Sequence, residues 1–162
     1  DLDASAPSKE QLFRIYGIYL DDFVRHEVHF EGKKVVVNRD IVKDRREGCF
    51  VGKQKTFDHL VTRKNCYTGK RQYDKDRANK IHWVRTIIEN HGHPLIKRFE
   101  KNDAKGHNNI LLWYEEKKYI VILREEQPDL FLVTGYCVDD IEQGKFRSEY
   151  KAYKDKKTSL RK

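Results

Sequence analysis

The last third of the chain most restricts what it can fold into. NNILLWYEE, KKYIVILREE and DLFLVTGYCVDD, residues 108–140, are three runs rich in β-branched and aromatic residues, separated only by charged or Pro-Asp links. Links this short leave no room for a helical crossover, so the runs must pair as neighbouring antiparallel strands, a meander. Ile120 to Leu123 and Leu130 to Val133 are continuously apolar, which demands cover on both faces, or nearly so.

The earlier part of the chain supplies that cover. Ser8 and Gln11 have capping-box spacing, and Leu12, Ile15, Tyr16, Tyr19, Leu20 and Phe23 recur at helical intervals, predicting a helix from about Lys9 to Phe23. HEVHF and KKVVVN flank Glu31-Gly32 and predict a hairpin. Residues 39–55, charged and punctuated by glycine, read as an ordered but irregular loop. Thr56 is placed to cap a short helix through FDHLVTRK, and NCYTGKRQYDKD reads as a polar, basic connection. Asp74 or Asp76 can cap RANKIHWVRTIIENH, whose Ile81, Val84, Ile87 and Ile88 form one apolar stripe that ends at His91-Gly92-His93-Pro94. A short helix is expected through LIKRFEKN, and a Lys-rich tail from Gly144 is expected to begin helical around Phe146, Tyr150 and Tyr153 and then fray. Helices and a hairpin, followed by an antiparallel meander packed on helices, make an α+β domain.

A length of 162 residues with 38% apolar content suits one domain. The net charge of +8 favours polyanionic partners, nucleic acid before anionic membrane. Cys49, Cys66 and Cys137 form no CxxC pair and are odd in number, which suits a reducing environment. No apolar run approaches a membrane span, and DLDASAPSKE, polar and without Met, reads as a linker or cut point. Metal sites find little support. His26 and His29, three apart in a strand, point to opposite faces, and His91 and His93 lack a partner at ligand spacing. No glycine-rich phosphate cradle and no nucleophile elbow occurs.

Taken in order, TFDHLVTR (56–63), RANKIHWVRTIIEN (77–90) and NILLWYEEKKYIVILREEQPDLFLVTGYCVD (109–139) resemble blocks of the phage- and mobile-element-associated nucleases of the barnase–EndoU–colicin–RelE (BECR) superfamily. That family carries an arginine, then a small residue, then an Ile-Pro-Trp-Ile helix ending in Glu-Asn, and a meander closing on Leu-Val-Thr-Ala-Tyr. The likeness spans roughly Lys55 to Asp139. It departs from the pattern at His82, where proline is expected, and at Gly135, where alanine is expected and the change looks sterically mild. The resemblance implies a metal-independent, cofactor-free endoribonuclease, a toxin or effector that cuts RNA, with tRNA a plausible target. It also implies an acidic inhibitor or immunity protein as partner, and action in a bacterial cytoplasm or in a target cell's cytoplasm after delivery. On this reading residues 1–8 are a linker, 9–54 an accessory helix and hairpin, 55–155 the nuclease core and 156–162 a basic tail.

Metal-free RNA cleavage needs the 2′-OH deprotonated, the leaving 5′-oxygen protonated and the phosphorane charge held. Histidine suits the proton transfers and arginine the charge. His59 in TFDHLVTR is the first candidate, with Arg63 one helical turn away. Arg77 matches the family's arginine, and Arg85, eight residues on, falls along the same helix edge. His82 and Trp83 lie off the apolar stripe and are further substrate contacts. Thr134 and Tyr136 project from one face of the last strand and can orient phosphate or base, while Arg124 can join them or simply pair with Glu125 or Glu126. The rival readings are a non-catalytic RNA- or DNA-binding module, or an interaction domain of a phage or defence protein.

Overall fold

The computed structural model describes residues 6–160. Ser8 caps helix α1 (Lys9–Leu20) in a complete capping box with Gln11, and a π-helical turn (Asp21–Arg25) extends it. Strands β1 (Val28–Phe30) and β2 (Lys33–Val36) form the expected hairpin. Its turn places Glu31 and Gly32 at φ of 48° and 81°, the pair of positive values that a tight hairpin needs and that glycine supplies without strain. Helix α2 (Lys55–Val61) leads directly into β3 (Thr62–Lys64), which pairs with β4 (Arg71–Tyr73). Helices α3 (Lys75–Asn79) and α4 (Ile81–Glu89) precede the long strands β5 (Ile96–Asn102), β6 (Asn108–Tyr114), β7 (Tyr119–Glu126) and β8 (Asp129–Cys137), and α5 (Asp140–Leu160) follows. No helix among the described residues is long and apolar enough to cross a membrane.

The molecule is α+β. One six-stranded sheet runs β1-β2-β8-β7-β6-β5, antiparallel except where Val35 and Val36 of β2 pair in parallel with Leu130 and Phe131 of β8. The N-terminal hairpin therefore completes the sheet. A single apolar cluster joins Ile15, Tyr19 and Phe23 to Val28, Phe30 and Val35, to Phe57, Leu60 and Val61, to the Ile81-Val84-Ile87-Ile88 stripe, and to Ile110, Leu112, Val121, Leu123, Leu130 and Leu132. The opposite face packs Phe99, Leu111, Trp113 and Ile120 against Phe146 of α5. Gln143 satisfies the buried Trp113 indole by accepting from Nε1 at 2.7 Å, and it donates to the Glu115 carbonyl at 2.9 Å.

Several expectations are corrected. LIKRFEKN is strand β5, not a helix. β6 offers it a full ladder from Ile96↔Tyr114 to Asn102↔Asn108, and the pairing overrides the helical spacing of its few apolar residues. RANKIHWVRTIIENH is two helices broken at Lys80 (φ −108°, ψ 15°), with Asp74 capping the first by accepting from Arg77 N. Gln54, not Thr56, is the N-cap residue of α2, and the Thr56 hydroxyl instead accepts from Asn38 N at 2.8 Å. The polar connection after Val61 contains the β3–β4 ribbon. α5 stays helical to Leu160, while residues 161–162 of the expected tail, like residues 1–5 of the expected linker, lie outside the described residues.

Candidate functional site

β2 pairs with β8 only at Leu130 and Phe131, so the rest of that edge of β8 is open, and α2 and α3 pack along it. Phe57, Leu60 and Val61 anchor α2 in the core, and this turns His59, on the other side of the helix, toward solvent. The backbone before α2 is fixed by Lys55 N donating to the Asp40 carbonyl (2.8 Å) and Thr56 N to the Asn38 carbonyl (3.3 Å). The outcome is a cleft of about 310 Å³ lined by Asn38, Lys55, Thr56, His59, Arg124, Phe131 and Val133.

Behind His59 stand two guanidiniums. Arg71 donates through Nε to Thr62 Oγ1 (2.6 Å) and through Nη2 to the Thr62 carbonyl (2.9 Å) and the His59 carbonyl (3.4 Å). Arg77 donates through Nη1 to the same Thr62 carbonyl at 2.6 Å, has Asp74 Oδ2 3.8 Å from its Nε, and lies 5.1 Å from the centre of the Tyr136 ring. Burial lowers the pKa of both arginines below the ordinary arginine value. Burial comes first for His59 too, followed by repulsion from Arg71 and then Arg77, and its imidazole is lowered from 6.5 to about 4. The ring still reaches water at its outer edge, so solvent screens part of that effect. His59 is therefore a neutral imidazole at neutral pH, able to accept a proton.

The buried carboxylate of Asp58 holds α2 to the loop before it. Its Oδ1 accepts from Cys49 N (2.9 Å) and Phe50 N (2.7 Å), which ties the 39–54 loop to α2. Oδ2 has no hydrogen-bond donor and faces Arg71 Nε at 3.8 Å. Burial raises the Asp58 pKa against the pull of those two N–H groups. Gly48 lies so close that a Cβ there would stand 2.6 Å from Oδ2.

Of the residues singled out in the sequence, His59 and Arg124 share the cleft, Arg77 stands behind His59, and Thr134 and Tyr136 lie beside them on the α5 face of β8, paired with Ile122 and Ile120. Arg124 is held by Glu126 through Nε at 3.0 Å and lies 4.9 Å from the Phe131 ring centre. The Tyr136 hydroxyl donates to Glu142 Oε2 at 2.9 Å, and burial and the Glu142 charge raise its pKa, so Tyr136 offers Arg77 a ring face in place of a free donor.

Four residues lie elsewhere. Thr62 is extended (φ −129°, ψ 159°), which ends the helix and puts Arg63 on β3, off the His59 face. Arg85 bonds Glu89 (2.8 Å) and the Asp22 carbonyl (3.3 Å) beside the π-helical turn. Trp83 packs on Tyr114 and Tyr119 under the sheet's other face, and His82 meets its edge. The break at Lys80 thus separates Arg77 from Arg85. Arg71, Lys55, Thr56 and Asn38 were not anticipated. The signal for Arg71 was the Gly69 turn followed by the alternating Lys70-Arg71-Gln72-Tyr73, a hairpin return strand.

Two larger clefts lie away from His59 and Arg124. At about 500 Å³, the one between residues 23–27 and β2 has Arg25 paired with Asp21 and His26 Nδ1 donating to the Asp21 carbonyl. Another of about 520 Å³, between α5 and β5, has Lys101 bonded to Glu149. No protein-family model, curated protein or solved structure matches the chain.

Proposed function

We propose that the chain is a metal-independent endoribonuclease whose reaction takes place in the His59–Arg124 cleft. The observation that carries the reading is a neutral histidine at the mouth of a cleft that also presents Lys55 and Arg124, backed by the guanidiniums of Arg71 and Arg77. A phosphate drawn to those cations replaces repulsion around His59 with attraction and raises its proton affinity as substrate binds. His59 takes the 2′-OH proton, the 2′-oxygen attacks phosphorus, and Arg124 holds the developing phosphorane charge, aided by the positive field of Arg71 and Arg77 behind His59. Lys55 supplies a proton to the departing 5′-oxygen. The products are a 2′,3′-cyclic phosphate and a 5′-hydroxyl, with protons balanced. An acidic inhibitor protein, able to cover the cationic cleft, is the partner that suits a chain of net charge +8.

The engaged Tyr136 hydroxyl favours one rival, a strand-binding module that grips RNA without cutting it. Incubation with total RNA in EDTA separates the two. Discrete fragments that disappear with His59→Ala are expected, whereas tight, salt-sensitive retention of intact RNA identifies the binding module.

A further inference from the structure

The β3–β4 ribbon has no part in the chemistry above beyond Arg71. It forms a two-stranded sheet of its own, with Thr62, Arg63 and Lys64 opposite Tyr73, Gln72 and Arg71. Between Asp58 and Asp74 there is no acidic residue, while Arg63, Lys64, Lys70 and Arg71 are all cationic. At the turn Tyr67 is 94% exposed, the most exposed large hydrophobic side chain among the described residues.

The turn that presents it is built. Asn65 Oδ1 accepts from Tyr67 N (2.8 Å) and Thr68 N (3.0 Å), and Thr68 Oγ1 accepts from Lys70 N (3.2 Å). Gly69, at φ +71°, donates to the Asn65 carbonyl at 2.9 Å, and Asn65 N donates to the Lys70 carbonyl at 2.8 Å. At the other end, Arg71 braces the ribbon internally on Thr62 and fastens it to the His59 carbonyl of α2. The aromatic tip and the proposed catalytic helix therefore belong to one body.

We infer that Tyr67 is a stacking platform for an unpaired base of single-stranded RNA whose phosphates run along the ribbon toward the His59 cleft. The inference rests on the ribonuclease reading. An aromatic held fully in water presents a ring face that any base can cover, and Arg63 and Lys64 on β3 with Lys70 at the turn suit a phosphate backbone. At about 3.3 Å per strand residue, the tip stands roughly 10–15 Å from the cleft, a few nucleotides from the scissile bond. An anionic bilayer also attracts lysines and tyrosine, but it gives no reason for the ribbon's base to be fastened beside the His59 cleft.

The test is performed in the His59→Ala chain, in EDTA, with a fluorescein-labelled single-stranded RNA of about a dozen nucleotides. Adding Tyr67→Ala is expected to raise Kd about 5- to 100-fold, while Tyr67→Phe leaves it unchanged. An abasic site at one position of the oligonucleotide removes the Tyr67→Ala difference, and binding to duplex RNA does not depend on residue 67. Equal affinity of the Tyr67→Ala chain, or the same loss on duplex RNA, overturns the inference. So does a loss confined to phosphatidylserine vesicles, which assigns the ribbon to lipid. If the His59-bearing chain cuts RNA while Tyr67→Ala leaves binding intact, only this inference falls. A chain that neither cuts nor binds RNA overturns the ribonuclease reading with it.

Discussion

The face of the sheet toward α1 and α4 buries Ile110, Leu112, Val121, Leu123, Leu130 and Leu132 in one apolar cluster with those helices. The opposite face buries Phe99, Leu111, Trp113 and Ile120 under α5, then runs out of cover at Arg124, Phe131 and Val133, where the cleft opens. The strands are shared, so the difference lies in the cover. Where it ends, Arg124 brings a cation to the cleft beside the apolar Phe131 and Val133. The same division splits the two arginines of one sequence segment. Arg77, before the Lys80 break, sits behind His59; Arg85, after it, is tied to Glu89 and the Asp22 carbonyl.

That comparison is broken most readily by exchanging the roles of the faces. His59→Ala is expected to lower kcat/KM for RNA in EDTA by about 10²- to 10⁴-fold. Because the ring is exposed, the midpoint of urea unfolding should move by no more than about 0.5 kcal/mol equivalent. Ile88→Ala, on the covered face, should do the reverse, with about 2–5 kcal/mol lost in urea unfolding and an unchanged kcat/KM per folded molecule in the cold. A large loss of activity from Ile88→Ala in fully folded protein contradicts the division.

Smaller effects sharpen it. Gly135 faces α4, and a Cβ there would stand 2.9 Å from Tyr119 Oη and 3.1 Å from Val84 Cγ2. The alanine of the resembled pattern is therefore not mild in this chain, because Tyr119 is fully buried and cannot swing away. Gly135→Ala should cost about 1–3 kcal/mol in urea unfolding, part of it recovered by adding Tyr119→Phe, which removes the clashing oxygen.

The pH response follows from the depressed His59 pKa. In the free protein the imidazole protonates only below its ordinary range, so the acid limb of kcat/KM should lie below pH 6.5. Arg77→Gln removes one of the repelling charges, so the His59 pKa should rise and the acid limb should move to higher pH, as an imidazole NMR titration would report. Arg85→Ala should leave that limb in place and change stability by less than about 1 kcal/mol, as befits a half-exposed i,i+4 pair. A shift of the limb by Arg85→Ala would return both arginines to one edge.

Much of this was legible from periodicity. The capping box of Ser8, the stripe from Ile81 to Ile88 and the short links between β6, β7 and β8 each specify their local structure whatever surrounds them. LIKRFEKN was not legible, because its strand exists only through the ladder that β6 offers. The break at Lys80 has no glycine or proline to announce it. At the site, His59 and Arg124 were visible as residue types in suggestive blocks. Their common cleft, and the convergence of Arg71 and Arg77 on the Thr62 carbonyl, depend on how α2, α3 and the β3–β4 ribbon lie along an edge of β8 that β2 leaves unpaired. Such long-range placement leaves no mark in local spacing.

The central claim is that this cleft cuts RNA by attack of the neighbouring 2′-OH. The most direct measurement is single-turnover cleavage, in EDTA, of a defined oligonucleotide and of its copy carrying a 2′-deoxy residue at the mapped cut. The expected result is a 2′,3′-cyclic phosphate from the first and loss of that cut in the second, with both unaffected by added Mg²⁺. Cleavage of the deoxy copy at the same bond, or cutting that appears only with the metal, would contradict the account.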